Sequence, residues 1–171
     1  MKSYVSELKY GLVLAVASFA WICLEYAVGL HGKYIEYHPK VSMLFAVIPI
    51  VIMWKALVHR RDVLQGGTVS WGQGLASGMV ISLVAAVFGA PSIWVFLNFV
   101  NPNFFPAMIE CAVKVGQATQ AEAEAYFTFK SYAIQATFFP LAAGLVTAVI
   151  LTAVARRKNK AAPAEPAKAA G

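Results

Sequence analysis

A chain of 171 residues is about the length of one domain, but its composition excludes a water-soluble one. Hydrophobic residues make up 60% of the chain and charged residues only 13%, which is too little charge to cover the surface of a soluble domain. Two long stretches, 63–109 and 131–155, contain no Lys, Arg, Asp or Glu. We therefore expect a membrane protein.

The net charge is +6, but the basic residues are not gathered into a patch. Most lie at the ends of apolar stretches, and five of the fourteen follow the last such stretch. Basic residues in these positions are typical of membrane topology signals, whereas a nucleic-acid-binding protein concentrates them in a patch or stripe. We predict the lipid bilayer as a partner and no nucleic acid.

Four apolar stretches are long enough to cross a bilayer, which takes about 20 residues. They are 10–30, 41–58, 75–99 and 133–155. Each must satisfy its own backbone hydrogen bonds, and the alternating pattern of a transmembrane barrel is missing from the sequence. The sequence therefore predicts an all-α, integral membrane four-helix bundle over residues 1–157. The Ala-, Pro- and Lys-rich segment 158–171 is predicted to be a disordered cytoplasmic tail.

The distribution of Lys and Arg predicts the orientation of the bundle. An even number of spans puts both termini on one side of the membrane, and that side carries ten basic residues against four on the other. Because positively charged segments stay in the cytoplasm, we predict an N-in/C-in topology.

The outer loop between the third and fourth spans is predicted to contain an amphipathic helix, about 104–115. Asn103 is placed to begin this helix and Gly116 to end it. Apolar residues share one face, and Glu110 and Lys114 are spaced to pair on the other, so we expect the helix to lie at the outer membrane interface. Thr119 and Glu122 then form a capping box for a new helix, which we expect to run directly into the fourth span.

Small residues recur every four positions in the third and fourth spans, which predicts close approach of helices. This spacing is typical of packing within one bundle, and the alternatives are self-association or docking against a larger membrane protein. The residues that carry the pattern are Gly74, Gly78, Ser82 and Ala86 in the third span, and Ala136, Pro140, Gly144, Ala148 and Thr152 in the fourth.

Glu25 is the acidic residue inside a predicted span, and an intramembrane carboxylate is by default a candidate functional group. It lies seven residues after Ser18, on the same inward face. Three interpretations remain open. The carboxyl is fixed by hydrogen bonds to Gln135, Thr137 or an outer-loop Lys or His; it handles ions or protons; or it contacts a ligand or partner.

The loop between the second and third spans carries a basic cluster and a tight turn. Arg60, Arg61 and Asp62 are predicted to anchor the topology, or alternatively to meet lipid headgroups or a partner. The pair Gly66 and Gly67 predicts a turn rather than a phosphate-binding loop, because the Lys and Ser/Thr of that motif are missing. Ser70 and Gln73 form a capping box for the third span.

No motif in the sequence predicts a metal, a cofactor or catalysis. His31, Glu36 and His38 share a short outer loop, but their spacing matches no specific metal site and a third firm ligand is missing. Cys23 and Cys111 form no disulfide framework. No nucleophile motif, zinc-protease motif or pair of intramembrane carboxylates is recognised, so we predict a protein that is not an enzyme.

Three motifs resemble one bacterial family of small multi-pass proteins, the domain of unknown function forty-one ninety-nine. They are LEYAVGLHG at 24–32, RRD…GG…SWGQG…SG at 60–78, and Asn101-Pro102 at the start of the outer loop. The resemblance covers about 8–157. It implies a four-helix protein of the bacterial inner membrane and supplies no activity, cofactor or catalytic residue.

We predict a non-enzymatic inner-membrane scaffold or accessory subunit that acts through helix packing. The alternative is a small transporter or ligand-binding membrane protein that uses Glu25 and the kinks expected at Pro49, Pro91 and Pro140. A water-reachable cavity at Glu25 lined by Ser18 and Gln135 would favour the alternative, and a filled bundle would favour the scaffold.

Overall fold

The computed structural model describes residues 4–156, and within them every regular element is a helix. Four helices are long and apolar enough to cross a membrane: α1 (Val5–Ala27), α2 (Ile35–Leu64), α3 (Trp71–Val100) and α6 (Phe129–Ala155). Two shorter helices, α4 (Phe104–Lys114) and α5 (Gln120–Tyr126), lie between α3 and α6. The predicted all-α bundle with four membrane-spanning helices is confirmed. The predicted disordered tail lies outside the described residues.

The four long helices alternate in direction. At one end of the bundle, Glu7 near the start of α1 bonds to Arg60 near the end of α2 and to Ser77 near the start of α3. Arg61 of α2 donates to the carbonyl oxygen of Ala155, the last residue of α6. We call this the terminal end, because α1 begins and α6 ends there, and the opposite end the loop end.

Helix α2 is longer and less regular than the predicted span. Its α-helical stretches, His38–Ser42 and Val47–His59, are separated by the 3₁₀ turn Met43–Ala46, and it ends in the π-helical turn Arg60–Leu64. Pro49 has no N–H to donate to the carbonyl four residues earlier, so the regular bonding pattern is interrupted at this point. In α3 and α6 the α-helix continues through Pro91 and Pro140.

Helices α3 and α6 pack through the small residues that the sequence pattern singled out. A Cβ added at Gly74 would overlap the side chain of Thr152, and one at Gly78 would overlap the Cβ of Ala148. Likewise, a Cβ at Gly144 would overlap the Oγ of Ser82. These glycines therefore act inside this bundle, where they let two helix backbones approach closely. Pro140, on the same helix as Gly144, is half-buried.

Large apolar side chains cover the outer faces of the long helices. At most 28% of the most apolar window of any spanning helix is buried inside the bundle, so most residues of these windows are at least partly exposed. Leu83, Val87, Phe138, Phe139 and Val146 are examples of such exposed residues. This surface is suited to lipid, which solvates apolar side chains without the cost that water imposes.

The outer loop follows the prediction in part. Gly116 ends α4 in a left-handed conformation with φ +70°, and the Thr119–Glu122 capping box opens α5. Asn103 occupies the N-cap position but makes no side-chain cap bond. Lys114 contacts Glu36 at 3.5 Å rather than pairing along its own helix. The expected continuous run into the last span was wrong, because α5 ends at Tyr126 and Thr128 caps a separate helix.

Candidate functional site

Two glutamates are buried within the spanning helix α1, one near each end. The exposed fractions are 0% for Glu7 and 4% for Glu25. Carboxylates at such depth are costly unless other groups compensate them. Only Glu25 is recognisable from the sequence, because the predicted first span begins at residue 10 and leaves Glu7 outside the membrane.

One carboxylate oxygen of Glu25 is fully engaged by two donors. The indole Nε1–H of Trp21, one turn earlier on α1, donates to Oε1 at 2.7 Å. The hydroxyl of Ser42 on α2 donates to the same oxygen at 2.5 Å. These two bonds fix the orientation of the carboxylate and leave Oε2 for other partners.

The other oxygen of Glu25 faces two imidazoles. Oε2 lies 3.7 Å from Nε2 of His31 and 3.6 Å from Nε2 of His38. Both distances exceed the usual length of a hydrogen bond. The side chain of His31 is fully buried, and neither of its ring nitrogens has a hydrogen-bond partner, whereas the side chain of His38 is 14% exposed. Buried nitrogens without partners are unfavourable, so this arrangement favours a group that binds them.

Local structure brings these three side chains together. Helix α1 ends in a Schellman turn in which Gly29 adopts φ +83° and the N–H of Leu30 donates to the carbonyl oxygen of Glu25. The chain thereby folds back and places His31 over the Glu25 side chain. His38 and Ser42 begin and end one short helical stretch of α2, so they project from the same face.

Aromatic rings enclose the histidines. The ring centroid of His31 lies 4.8 Å from that of Phe104 and 5.5 Å from that of Phe96, and His38 lies 4.9 Å from His31. Phe96 and Phe104 are themselves buried. Apolar walls of this kind keep the local dielectric constant low and strengthen polar interactions inside them.

Glu25, His31 and His38 can each offer one ligand atom to a metal ion, and the three atoms lie within 4.8 Å of one another. We call these residues the loop-end cluster. In the sequence the two histidines are grouped with Glu36, but in the structure Glu36 contacts Lys114 instead. The signal that could have found the cluster is Gly29, since a glycine after an apolar helix indicates a reversal of the chain.

Ser18 and Gln135, predicted to lie at Glu25, bond elsewhere. The hydroxyl of Ser18 donates to the carbonyl oxygen of Leu14, and the amide of Gln135 donates to that of Ser131. Thr137 donates to the carbonyl oxygen of Ala133. Each of these three bonds lies within the residue's own helix, and Gln135 also accepts from the hydroxyl of Tyr126 at 3.3 Å, so none of the three residues bonds to Glu25.

At the terminal end, Glu7 is held by groups from two other helices. Its Oε1 accepts from Nε of Arg60 at 2.5 Å and from the hydroxyl of Ser77 at 2.6 Å. The guanidinium of Arg60 also lies over the ring of Tyr4, at 4.4 Å from the centroid. Arg60 is only 1% exposed, so the alternative interpretation, in which it meets headgroups or a partner, does not apply to this residue. It serves to neutralise a buried carboxylate.

The neighbouring residues of this segment form a surface ion pair and a turn. Arg61 contacts Asp62 through two nitrogens, at 2.6 and 3.0 Å. Its third nitrogen donates to the final carbonyl oxygen of α6 at 3.3 Å, which satisfies a helix end. Gly66 and Gly67 have φ of +70° and +97°, as the predicted tight turn requires.

A sequence model of one protein family matches residues 9–157, and that family is described as "Protein of unknown function (DUF4199)". The chain belongs to the DUF4199 family. The resemblance predicted from the three sequence motifs is therefore confirmed. No curated protein and no solved structure matches the chain. In this DUF4199 protein the matched region contains the whole loop-end cluster and Arg60, and it begins two residues after Glu7.

Proposed function

We propose that this protein is a non-enzymatic scaffold or accessory subunit of the bacterial inner membrane. The observation that carries the proposal is the close contact of α3 and α6, where the backbone at Gly78 meets Ala148 and that at Gly144 meets Ser82. Helices packed this closely leave no lumen between α3 and α6 for a permeation path. A tightly packed helix pair and an apolar outer surface are suited to packing against lipid and other membrane proteins.

The two buried carboxylates also support a structural role. Glu7 is neutralised by Arg60, and Glu25 is 4% exposed and held by Trp21 and Ser42. A carboxylate that carries ions or protons across a membrane must exchange them with water on both sides. Carboxylates bonded in this way serve instead to join helices within the membrane.

The orientation that we propose has both termini in the cytoplasm. Of the ten basic residues that the sequence assigns to the terminal side, Arg60 and Arg61 are paired with acidic partners, and on the other side Lys114 is paired with Glu36. Eight remain against three, so the positive-inside rule still favours the same topology. At that end Arg156 lies over the ring of Trp71, 5.2 Å from its centroid, an arrangement suited to the membrane interface.

We propose the lipid bilayer and either a second membrane protein or another copy of this chain as partners, with no nucleic acid. The test is isolation of the full chain from its native membrane in mild detergent after brief chemical crosslinking. We expect one protein, or a second copy, to be recovered in a fixed ratio to the chain. Recovery of the chain alone as a monomer at every crosslinker concentration would overturn the proposal.

The scaffold and transporter proposals can be distinguished with the variant E25Q. Its assembly in the membrane and its transport of solutes or ions are both measured. The scaffold proposal predicts that any defect follows a loss of assembly. Loss of solute or ion transport by E25Q in a chain that still assembles normally would favour a transporter.

The proposed topology can be tested with single cysteines in a chain that lacks Cys23 and Cys111. Thr68, in the exposed turn at the terminal end, and Lys33, in the exposed loop at the other end, are suitable positions. A membrane-impermeant maleimide should label K33C in intact spheroplasts and T68C only after lysis. The reverse pattern would overturn the N-in/C-in orientation.

A further inference from the structure

We propose that Glu25, His31 and His38 bind one divalent transition-metal ion of the zinc class at the loop end of the bundle. This site is independent of the proposed scaffold role, since it depends only on side chains within one chain. Two imidazoles and a carboxylate are the donor set that zinc takes in many proteins.

The distances between the ligand atoms suit a shared ion better than direct hydrogen bonds between the side chains. Zinc lies about 2.0–2.2 Å from nitrogen and oxygen ligands, so two ligands of a tetrahedral ion are roughly 3.4 Å apart. The Oε2 of Glu25 lies 3.7 Å from Nε2 of His31 and 3.6 Å from Nε2 of His38. Both pairs are too long for a good hydrogen bond, and a shift of a few tenths of an ångström would bring Oε2 and either imidazole nitrogen to the separation of two zinc ligands. All three ligand atoms lie within 4.8 Å of one another, so the imidazoles need only a small approach to share the ion.

The carboxylate is held in position by groups that do not touch the proposed ion. Trp21 and Ser42 both donate to Oε1 of Glu25, so Oε2 is the oxygen left for a metal. Partners of this kind orient metal ligands and commonly strengthen metal binding. The cluster therefore contains, besides the three metal ligands, two residues that hold the Glu25 carboxylate in position.

His31 provides a separate argument for a ligand at this position. Its side chain is fully buried beside Glu25, and its Nε2 has no hydrogen-bond partner. A buried nitrogen without a partner lowers stability. A metal ion coordinated by Nε2 would provide the missing partner and would balance the charge of the Glu25 carboxylate.

The surroundings predict how an ion would enter and what completes its coordination. His38 is the partly exposed member, with 14% of its side chain accessible, so we place the entrance on its side. Phe96 and Phe104 pack against the ring of His31, which is fully buried. Three protein ligands leave one position of a tetrahedral ion open, and we expect water there.

The experiment uses the full chain purified in detergent with a tag that contains no histidine, after removal of metal by a chelator. Zn²⁺ binding is measured by calorimetry, and Co²⁺ is titrated as a spectroscopic probe of coordination geometry. We expect one saturable site per chain, with intense visible absorption from tetrahedral Co²⁺ that Zn²⁺ displaces. No saturable binding of either ion would overturn the proposal.

Substitutions test which residues hold the ion. We expect H31Q, H38Q and E25Q each to weaken Zn²⁺ binding by at least about 100-fold. The chain has three histidines, so H59Q is a matched control, and E36Q is the control for the neighbouring carboxylate. Both controls should bind Zn²⁺ as the natural chain does. Binding that survives H38Q and H31Q, or that is lost in H59Q, would contradict the assignment.

A further variant tests the residue that orients the Glu25 carboxylate. W21F removes the indole donor to Oε1 but keeps all three ligands, and we expect about 10-fold weaker Zn²⁺ binding, as for other supporting groups.

Zn²⁺ should also raise the Tm of the natural chain and of H59Q, because an ion that binds only the folded state stabilises it. An equal rise in H38Q would overturn the site, since that variant lacks a ligand.

Discussion

Arg60 donates from Nε to the Oε1 of Glu7 although 53 residues separate them in the chain. The bond joins the start of α1 to the end of α2, and Ser77 of α3 donates to the same oxygen. Three helices are therefore tied together at the terminal end by one buried carboxylate. Since Glu7 is 0% and Arg60 1% exposed, neither charge can be left alone without a large cost.

We expect R60M to lower the free energy of unfolding by about 3–5 kcal/mol, because it leaves Glu7 buried without its counter-charge. The double variant E7Q/R60M removes both charges and should recover at least half of that loss. R61M is the control, since it leaves no buried charge unpaired: it removes a partly exposed pair with Asp62, worth about 1 kcal/mol or less, and one hydrogen bond to the carbonyl oxygen of Ala155, worth about 1 kcal/mol. Denaturant unfolding of the purified chains in detergent, followed by circular dichroism, measures all three. A double variant no more stable than R60M would show that the pair itself is not the cause.

Gly78 offers a test of the helix contact on which the scaffold proposal depends. G78A should lower the free energy of unfolding by about 1–3 kcal/mol, because the new methyl overlaps the Cβ of Ala148. G72A is the matched control: nothing lies within 4 Å of its added Cβ, and alanine favours a helix by up to about 1 kcal/mol over glycine.

A compensating substitution sharpens this test. G78A/A148G moves the methyl group from one helix to the other, so the contact between α3 and α6 can be restored. We expect the double variant to regain most of the stability that G78A loses in the same unfolding assay. If G78A is as stable as the natural chain, then the two backbones do not need to approach closely at this position.

Features that depend on a local sequence pattern could be predicted from the sequence. Apolar runs of 18 to 25 residues indicate helices, because lipid leaves the backbone no other partner. The four-residue spacing that includes Gly74, Gly78 and Gly144 marks one face of a helix, and those glycines do lie at the contact. Capping boxes at Ser70 and Thr119 were equally predictable, since both involve residues only three apart.

The partners of buried charges could not be predicted in the same way. Arg60 was interpreted as a topology anchor, or alternatively as a contact for headgroups or a partner, because nothing in its local sequence indicates a glutamate 53 residues earlier. For Glu25, distance in the chain was not the obstacle, since His31 is six residues away. The obstacle was the reversal at Gly29, which decides which of several nearby polar residues faces the carboxylate.

The capping box at Glu122 should make the stability of α5 depend on pH. The backbone N–H of Thr119, and then its hydroxyl, donate to the Glu122 carboxylate and hold its pKa below the ordinary value. A lowered pKa in the folded state means that the stabilisation is present above the pKa of the unfolded chain. It is lost as the pH falls through the lowered pKa of the folded chain.

The carboxyl carbon signal of Glu122 in NMR measures this effect directly. We expect its titration midpoint to lie below that of an unstructured glutamate, and T119A to raise it, because the variant removes one of the two donors. E122Q should make the protection of the α5 amides independent of pH over the acidic range. A midpoint in the natural chain equal to that of a free glutamate would contradict the capping box.

Cys111 on α4 allows the electrostatics of the loop end to be measured with one thiol. Partial burial raises the pKa of this thiol, Glu36 and Glu110 raise it further, and Lys114 lowers it. The thiolate is the reactive form, so alkylation of Cys111 should reach half its maximal rate at a pH above that of a free cysteine. In a C23A background, Cys111 is the sole thiol of the chain.

Glu36 and Lys114 form an ion pair at 3.5 Å, and removing each charge in turn should shift the pKa of Cys111 in opposite directions. E36Q removes a negative charge near the thiol and should lower its pKa, which speeds alkylation at pH 8. K114Q removes a positive charge and should raise the pKa, which slows alkylation at the same pH. Each substitution breaks the same ion pair, so a mere loosening of the loop would change both rates in the same direction. Only the charges, acting at the distances of this fold, produce opposite changes.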